Sequence, residues 1–134
     1  MVEKREVAVL FGEFEKALKR LEEAILLKEE TDIKRDAVIQ RFEFTFEILW
    51  KVFRRIARLE KMDCYSPKSC FKIAFNMGLI DDEDAFSQII DARNKTVHTY
   101  SEEEAKQIYD FVRGVAISAF KETSGKIEQY LKNM

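Results

Sequence analysis

The stretch Arg41-Phe-Glu-Phe-Thr-Phe-Glu-Ile-Leu-Trp-Lys-Val-Phe-Arg-Arg-Ile-Ala-Arg-Leu-Glu60 decides the fold class. Phe42, Phe46, Leu49, Phe53 and Ile56 recur at alternating steps of four and three, which keeps them on one helix face. Ala37, Phe44, Ile48 and Val52 form a second apolar series. The spacing predicts one helix from about Ile33 to Glu60, roughly 40 Å long at ~1.5 Å per residue. Apolar on two faces, it needs cover on both sides, inside a bundle or at a subunit interface. Three phenylalanines at every second position cannot all enter one core, so Phe44 is expected to meet a second helix layer or a dimer partner. The run reads as core rather than as a base-stacking platform, because such platforms expose their rings.

Upstream, Thr31 or Asp32 can accept hydrogen bonds from the free amides that open this helix. Lys28 to Thr31 separates it from an earlier stripe, Val7, Phe11, Phe14, Leu18, Leu21 and Ile25, which predicts a first helix. Downstream, Met62 to Tyr65 form a loop, and Ser66-Pro67 joins a capping hydroxyl to a proline at the first helical position. A third helix is expected over Pro67–Met77, stopped by Gly78 in left-handed geometry. Asp81 to Asp84 suit the positive end of a fourth helix, which carries Phe86, Ile89 and Ile90 inward as far as about Asn94. Ser101 and Glu104 make a capping box for a fifth. Its stripe of Ala105, Ile108, Val112, Val115 and Ala119 loses register after Phe120, and Gly125 marks an expected kink or break. With one proline and four glycines in 134 residues, the prediction is an all-α, antiparallel up-and-down bundle of four or five helices, a single domain over residues 1–134.

The 23 Lys and Arg are balanced by 25 Asp and Glu, so no global field draws the chain to nucleic acid or anionic lipid, and any such contact must be local. No apolar run approaches the ~20 residues of a membrane helix, and Met1 to Val7 carries charge where a secretory signal would be greasy. A soluble, cytoplasmic protein without a membrane partner is expected. Cys64 and Cys70 read as reduced packing residues rather than a bridge. One histidine and two cysteines spaced six apart are an incomplete zinc set, and the acidic run lacks the alternating ligands and glycine of a calcium loop. Neither metal nor cofactor is expected.

Reactive groups concentrate in Asp91-Ala-Arg-Asn-Lys-Thr-Val-His-Thr-Tyr100, which holds His98, the single histidine. Arg93 follows Ile89 by four and Ile90 by three, so it shares their inward face and needs a counter-charge: a carboxylate from another helix, a second subunit or a bound phosphate. An unbroken helix would set His98 about 140° around from Arg93. The Ser101 cap ends the helix first, and in extended chain His98 and Tyr100 point to one side. Arginine, histidine and tyrosine around one pocket suit a phosphodiester: the first neutralises charge, the second moves a proton, the third hydrogen-bonds or accepts a group. The plainer alternative has His98 and Tyr100 satisfying backbone groups at a helix junction. Lys51, Arg54, Arg55 and Arg58 crowd the end of the second helix, where they either attract RNA or an acidic partner or simply complement the helix C-terminus.

Four blocks in order, Arg41 to Lys51, Ser66-Pro-Lys68, Gly78 to Asp82 and Arg93 to Tyr100, resemble the HEPN-domain proteins of the nucleotidyltransferase substrate-binding family, over most of the chain. The most specific element is arginine, four residues, histidine, one residue, tyrosine, matched by Arg93, His98 and Tyr100, with Asp91, Asn94 and Thr99 as supporting motif residues. Lys95 and Val97 stand where relatives often carry leucine and serine. The resemblance implies a dimerising helical bundle encoded beside a minimal nucleotidyltransferase. In related toxin–antitoxin pairs it implies a metal-independent RNA endonuclease silenced by AMP on the motif tyrosine. Carried over, Arg93 and His98 would be the cleavage pair and Tyr100 the AMP acceptor.

Cleavage through a 2′-hydroxyl needs one group to remove a proton and another to protonate the leaving oxygen, so one histidine per chain independently favours a homodimer. Asp82 and Asp84 lack the Gly-Ser phosphate grip of a nucleotidyltransferase, so any nucleotide transfer belongs to a partner chain. Three readings follow in order: the partner subunit of a minimal nucleotidyltransferase, an active RNA endonuclease, and a non-catalytic helical interaction module.

Overall fold

The side chain of Thr31 accepts a hydrogen bond from the Lys34 amide and opens the central helix α2 (Asp32–Leu59) of the computed structural model, which describes residues 2–134. Before it runs α1 (Val2–Ile25), and after it α3 (Pro67–Asn76), α4 (Glu83–Thr96), α5 (Glu102–Phe111) and α6 (Ile117–Lys132). The described residues contain helices and no strand. The expected caps at Ser66 and Ser101 are present, Ser66 bonding reciprocally with Ser69 and Ser101 with Glu104, and within the acidic run that opens α4 Asp82 accepts from the Ala85 amide. Gly78 follows α3 with φ of 79°, the left-handed conformation that lets Leu79 and Ile80 fold back into the core.

α2 packs against α1, α3, α4 and α5. Its first apolar series, Phe42, Phe46, Leu49, Phe53 and Ile56, is buried throughout. Two rings organise the interior. Phe120 of α6 meets Phe14, Phe42 and Phe86, and Phe71 of α3 meets Phe46, Phe53 and Phe86, so Phe86 of α4 links both groups. The second series divides: Ile48 and Val52 are buried, while Phe44 stays 62% exposed.

Three expectations are corrected. Cys64 and Cys70 are joined as a disulfide, because the Ser66-Pro67 turn carries the loop back over the first turn of α3 and brings the two Cα atoms to 5.2 Å. Gly125 does not break its helix; α6 continues through it from Ile117 to Lys132. The register change comes earlier, in a π-helical turn at Val112–Ala116 that joins α5 to α6. The wider turn rotates the helix relative to a 3.6-residue count, so Val115 is exposed and the buried face continues through Ala116, Phe120, Thr123 and Ile127.

A polar clamp fastens the α1–α2 loop to α5. Glu30 accepts hydrogen bonds from Lys34 Nζ at 2.7 Å and from the Tyr109 hydroxyl at 2.8 Å, and Arg113 lies 3.8 Å away. Lys34 is buried. The hydrogen bond from Lys34, then that from Tyr109, holds the Glu30 carboxyl below its ordinary range. A carboxylate depressed in this way contributes stability above its unfolded pKa, and that contribution is lost as pH falls through the folded value. Glu30→Gln is therefore expected to lower the melting temperature at neutral pH, with the difference from the parent chain shrinking as the pH falls below the ordinary carboxylate range, as followed by circular dichroism.

Candidate functional site

The junction between α4 and α5 lies against one side of α2. α4 ends at Thr96, Val97 and His98 form a turn, and the chain is non-helical at Thr99 and Tyr100 before Ser101 caps α5. The helix thus ends ahead of Tyr100, as the cap requires. Thr96 Oγ1 donates to the Arg93 carbonyl, and the His98 amide reaches the Lys95 carbonyl at 3.5 Å, so the turn is tied to the last residues of α4.

Arg93 points inward and finds its counter-charge on another helix. Its guanidinium donates to Glu47 of α2 and lies over the Phe46 ring, 5.1 Å from the centroid. The other oxygen of Glu47 accepts from Trp50 Nε1 at 3.1 Å, and Arg93 Nη1 faces Asn94 Oδ1 at 3.5 Å. Tyr100 is half-buried against the core. Burial first, then the charges of Glu43 and Asp36, push its phenol above the ordinary value, while Arg35 opposes them. At neutral pH the hydroxyl keeps its proton. Glu43 and Glu47 are one turn apart on α2, about 6 Å, so the same helix face gathers the guanidinium and the phenol.

His98 and Thr99 are exposed, and among the described residues no hydrogen bond joins Arg93, His98 and Tyr100 to one another. The chain brings Arg93 and Tyr100 to α2 and leaves the imidazole at the rim. Asp91 and Asn94 face a groove of about 830 Å³ between α3 and α4, shared with Lys68 and Lys72. Of the basic cluster, Arg55 is bound to Glu6 of α1 and Arg54 lies over the Tyr65 ring at 5.7 Å, while Lys51 and Arg58 are exposed. No three metal-ligating side chains converge among the described residues, and none of their helices is long and apolar enough to cross a membrane.

Glu43, Glu47 and Trp50 belong to the site although the sequence did not single them out. The available signal was two acids spaced four apart on a helix that is apolar on two faces, where an acid calls for a partner.

Residues 10–132 match the family model described as nucleotidyltransferase substrate binding protein like. Over 76 residues the chain is 33% identical to the probable ribonuclease HepT of Haemophilus influenzae, an alignment that covers 53% of this chain and about half of that protein, 52%. A crystal structure of a protein from Thermus thermophilus superposes with a TM-score of 0.76 at 35% identity, covering 84% of this chain and 97% of the other. At 18% identity, a tri-AMPylated HEPN toxin of Shewanella oneidensis, solved in complex with its MNT antitoxin, shares the fold with a TM-score of 0.74 over 92% of this chain and 96% of that one. A toxin–antitoxin MntA–HpeT mutant does so at 18% identity and a TM-score of 0.75, covering 92% and 97%. With a helical bundle and a family match spanning nearly its whole length, the chain belongs to the nucleotidyltransferase substrate binding protein like family.

Proposed function

We propose that this chain is the HEPN-type partner subunit of a two-component minimal nucleotidyltransferase system of toxin–antitoxin type, with Tyr100 as the AMP acceptor. The observation that carries the reading is the family match over residues 10–132, within which Arg93, His98 and Tyr100 keep the motif spacing at an accessible helix junction. Tyr100 suits an acceptor whose chemistry is supplied from outside. Its phenol stays protonated, so transfer needs a base and a phosphate-neutralising cation brought by the nucleotidyltransferase. Co-expression with the nucleotidyltransferase encoded beside it should raise the intact mass by one or more adenylyl groups. Tyr100→Phe should remove the gain at that residue; an unchanged gain counts against this acceptor.

A second reading, metal-independent RNA cleavage by Arg93 and His98, is favoured by the Haemophilus relative named as a probable ribonuclease. Arg93 would neutralise the phosphodiester and His98, exposed and free to approach a strand, would move the proton. Purified chain should cleave RNA without added metal, and His98→Ala should slow cleavage at least ~100-fold. Intact RNA with both proteins removes this reading and retains the partner role.

The two histidines that cleavage calls for would come from two copies. Ile33 and Phe44, 82% and 62% exposed, lie eleven residues apart and so on one face of α2 with Ala37 and Gln40 between them. Phe44 is about 60° around the helix from Glu47, which sets this uncovered face beside the junction. Light scattering should give twice the 15.8 kDa chain mass, and Phe44→Glu should return the monomer without lowering the melting temperature of the isolated chain. A parent chain that is monomeric at micromolar concentration refutes the dimer.

A further inference from the structure

The contact between Arg93 and Glu47 does more than neutralise a half-buried cation. Both oxygens of Glu47 are engaged, one by Arg93 and the other by Trp50 Nε1, and the Phe46 ring covers one face of the guanidinium. The remaining contact of Arg93, with Asn94 Oδ1 at 3.5 Å, is long and yields easily. A phosphate oxygen and a carboxylate oxygen bind a guanidinium through the same N–H groups in the same plane. They compete for it. The pair is within reach of solvent, with side chains 26% and 36% exposed, so an incoming strand can displace the carboxylate.

We propose that Glu47, anchored by Trp50, is a built-in occupant of the phosphate-binding edge of Arg93 and must leave it before a single RNA strand is gripped there. This deepens the second reading, RNA cleavage, because it rests on Arg93 meeting phosphate, and it makes Glu47 a positioning residue that sets the affinity of the site. While the pair is closed the site presents no net charge at Arg93; once it opens, one cation is released to the strand.

The test is fluorescence anisotropy of a short single-stranded RNA oligonucleotide with the full chain, across a salt series. Glu47→Gln keeps the shape and removes the charge, so it should bind about fivefold tighter at low salt, the scale of one partly exposed ion pair. Its log–log salt slope should steepen by about 0.7, as expected for one more phosphate contact on a single strand. The gain should vanish in the Glu47→Gln, Arg93→Gln double variant. Trp50→Phe, which frees one oxygen of Glu47 without changing charge, should give a smaller gain in the same direction and serves as the test should Glu47→Gln fail to fold. Binding no tighter than the parent, including no binding by either, overturns the proposal. So does a gain that survives Arg93→Gln. Adenylylation of Tyr100 is read on the same variants by mass: intact modification without any RNA gain defeats this inference alone, whereas an RNA gain with no modification counts against the acceptor reading and leaves this one standing.

Discussion

A guanidinium that faces the interior of a helical bundle needs a counter-charge, and the meeting of Arg93 with Glu47 on α2 is the constraint on which the junction depends. It couples the rotation of α2 to the placement of α4. The rotation that buries Phe42, Phe46 and Phe53 also sets Glu43 and Glu47 at the edge of the buried face, because each follows a buried ring, Phe42 or Phe46, by one residue, about 100° around the helix. Turning α2 by one residue, about 100°, would expose a phenylalanine and at the same time strand Arg93. Core packing and site geometry are therefore one requirement on one helix. The guanidinium stacked over Phe46 is where the two are in direct contact.

What could be read from the sequence was local. The stripes of α1 and α2, the Thr31, Ser66 and Ser101 caps and the left-handed Gly78 follow from residues a few positions apart, and the structure has each of them. Composition and spacing also led to an inward Arg93 in need of a counter-charge and to a Phe44 turned from the main core towards a second helix layer or a dimer partner. They did not identify which carboxylate would answer, since Glu47 is 46 residues away and its choice depends on how α2 and α4 cross. The same holds for Glu30 and Tyr109, 79 residues apart, whose hydrogen bond lets Lys34 be buried on a helix whose exposed positions it would otherwise join. The Cys64–Cys70 bridge escaped for a different reason: an abundance argument about compartments spoke against it, while the deciding factor was the tight turn at Ser66-Pro67. The π-turn at Val112–Ala116 has no proline or unusual composition to announce it. A periodic count carried through it places Val115 inside and finds fault downstream, at Gly125, where the helix is regular.

Charge along α2 is divided about the junction. Asp36, Glu43 and Glu47 lie on the side that receives Tyr100 and Arg93, and Lys51, Arg54 and Arg58 follow towards the C-terminal end. Under the RNA-cleavage reading, a polyanion would be drawn first to the basic end. To continue past Arg93 it must enter the acidic stretch, and the carboxylate it meets first is Glu47. Under the proposed function this ordering bears on how AMP on Tyr100 would act. A phosphodiester there adds negative charge beside Glu43 and Asp36, in a region already unfavourable to anions, with Arg35 as the offsetting cation. The modification would then repel a strand held at Arg93 by extending the acidic field across the junction, and would need no change in the fold.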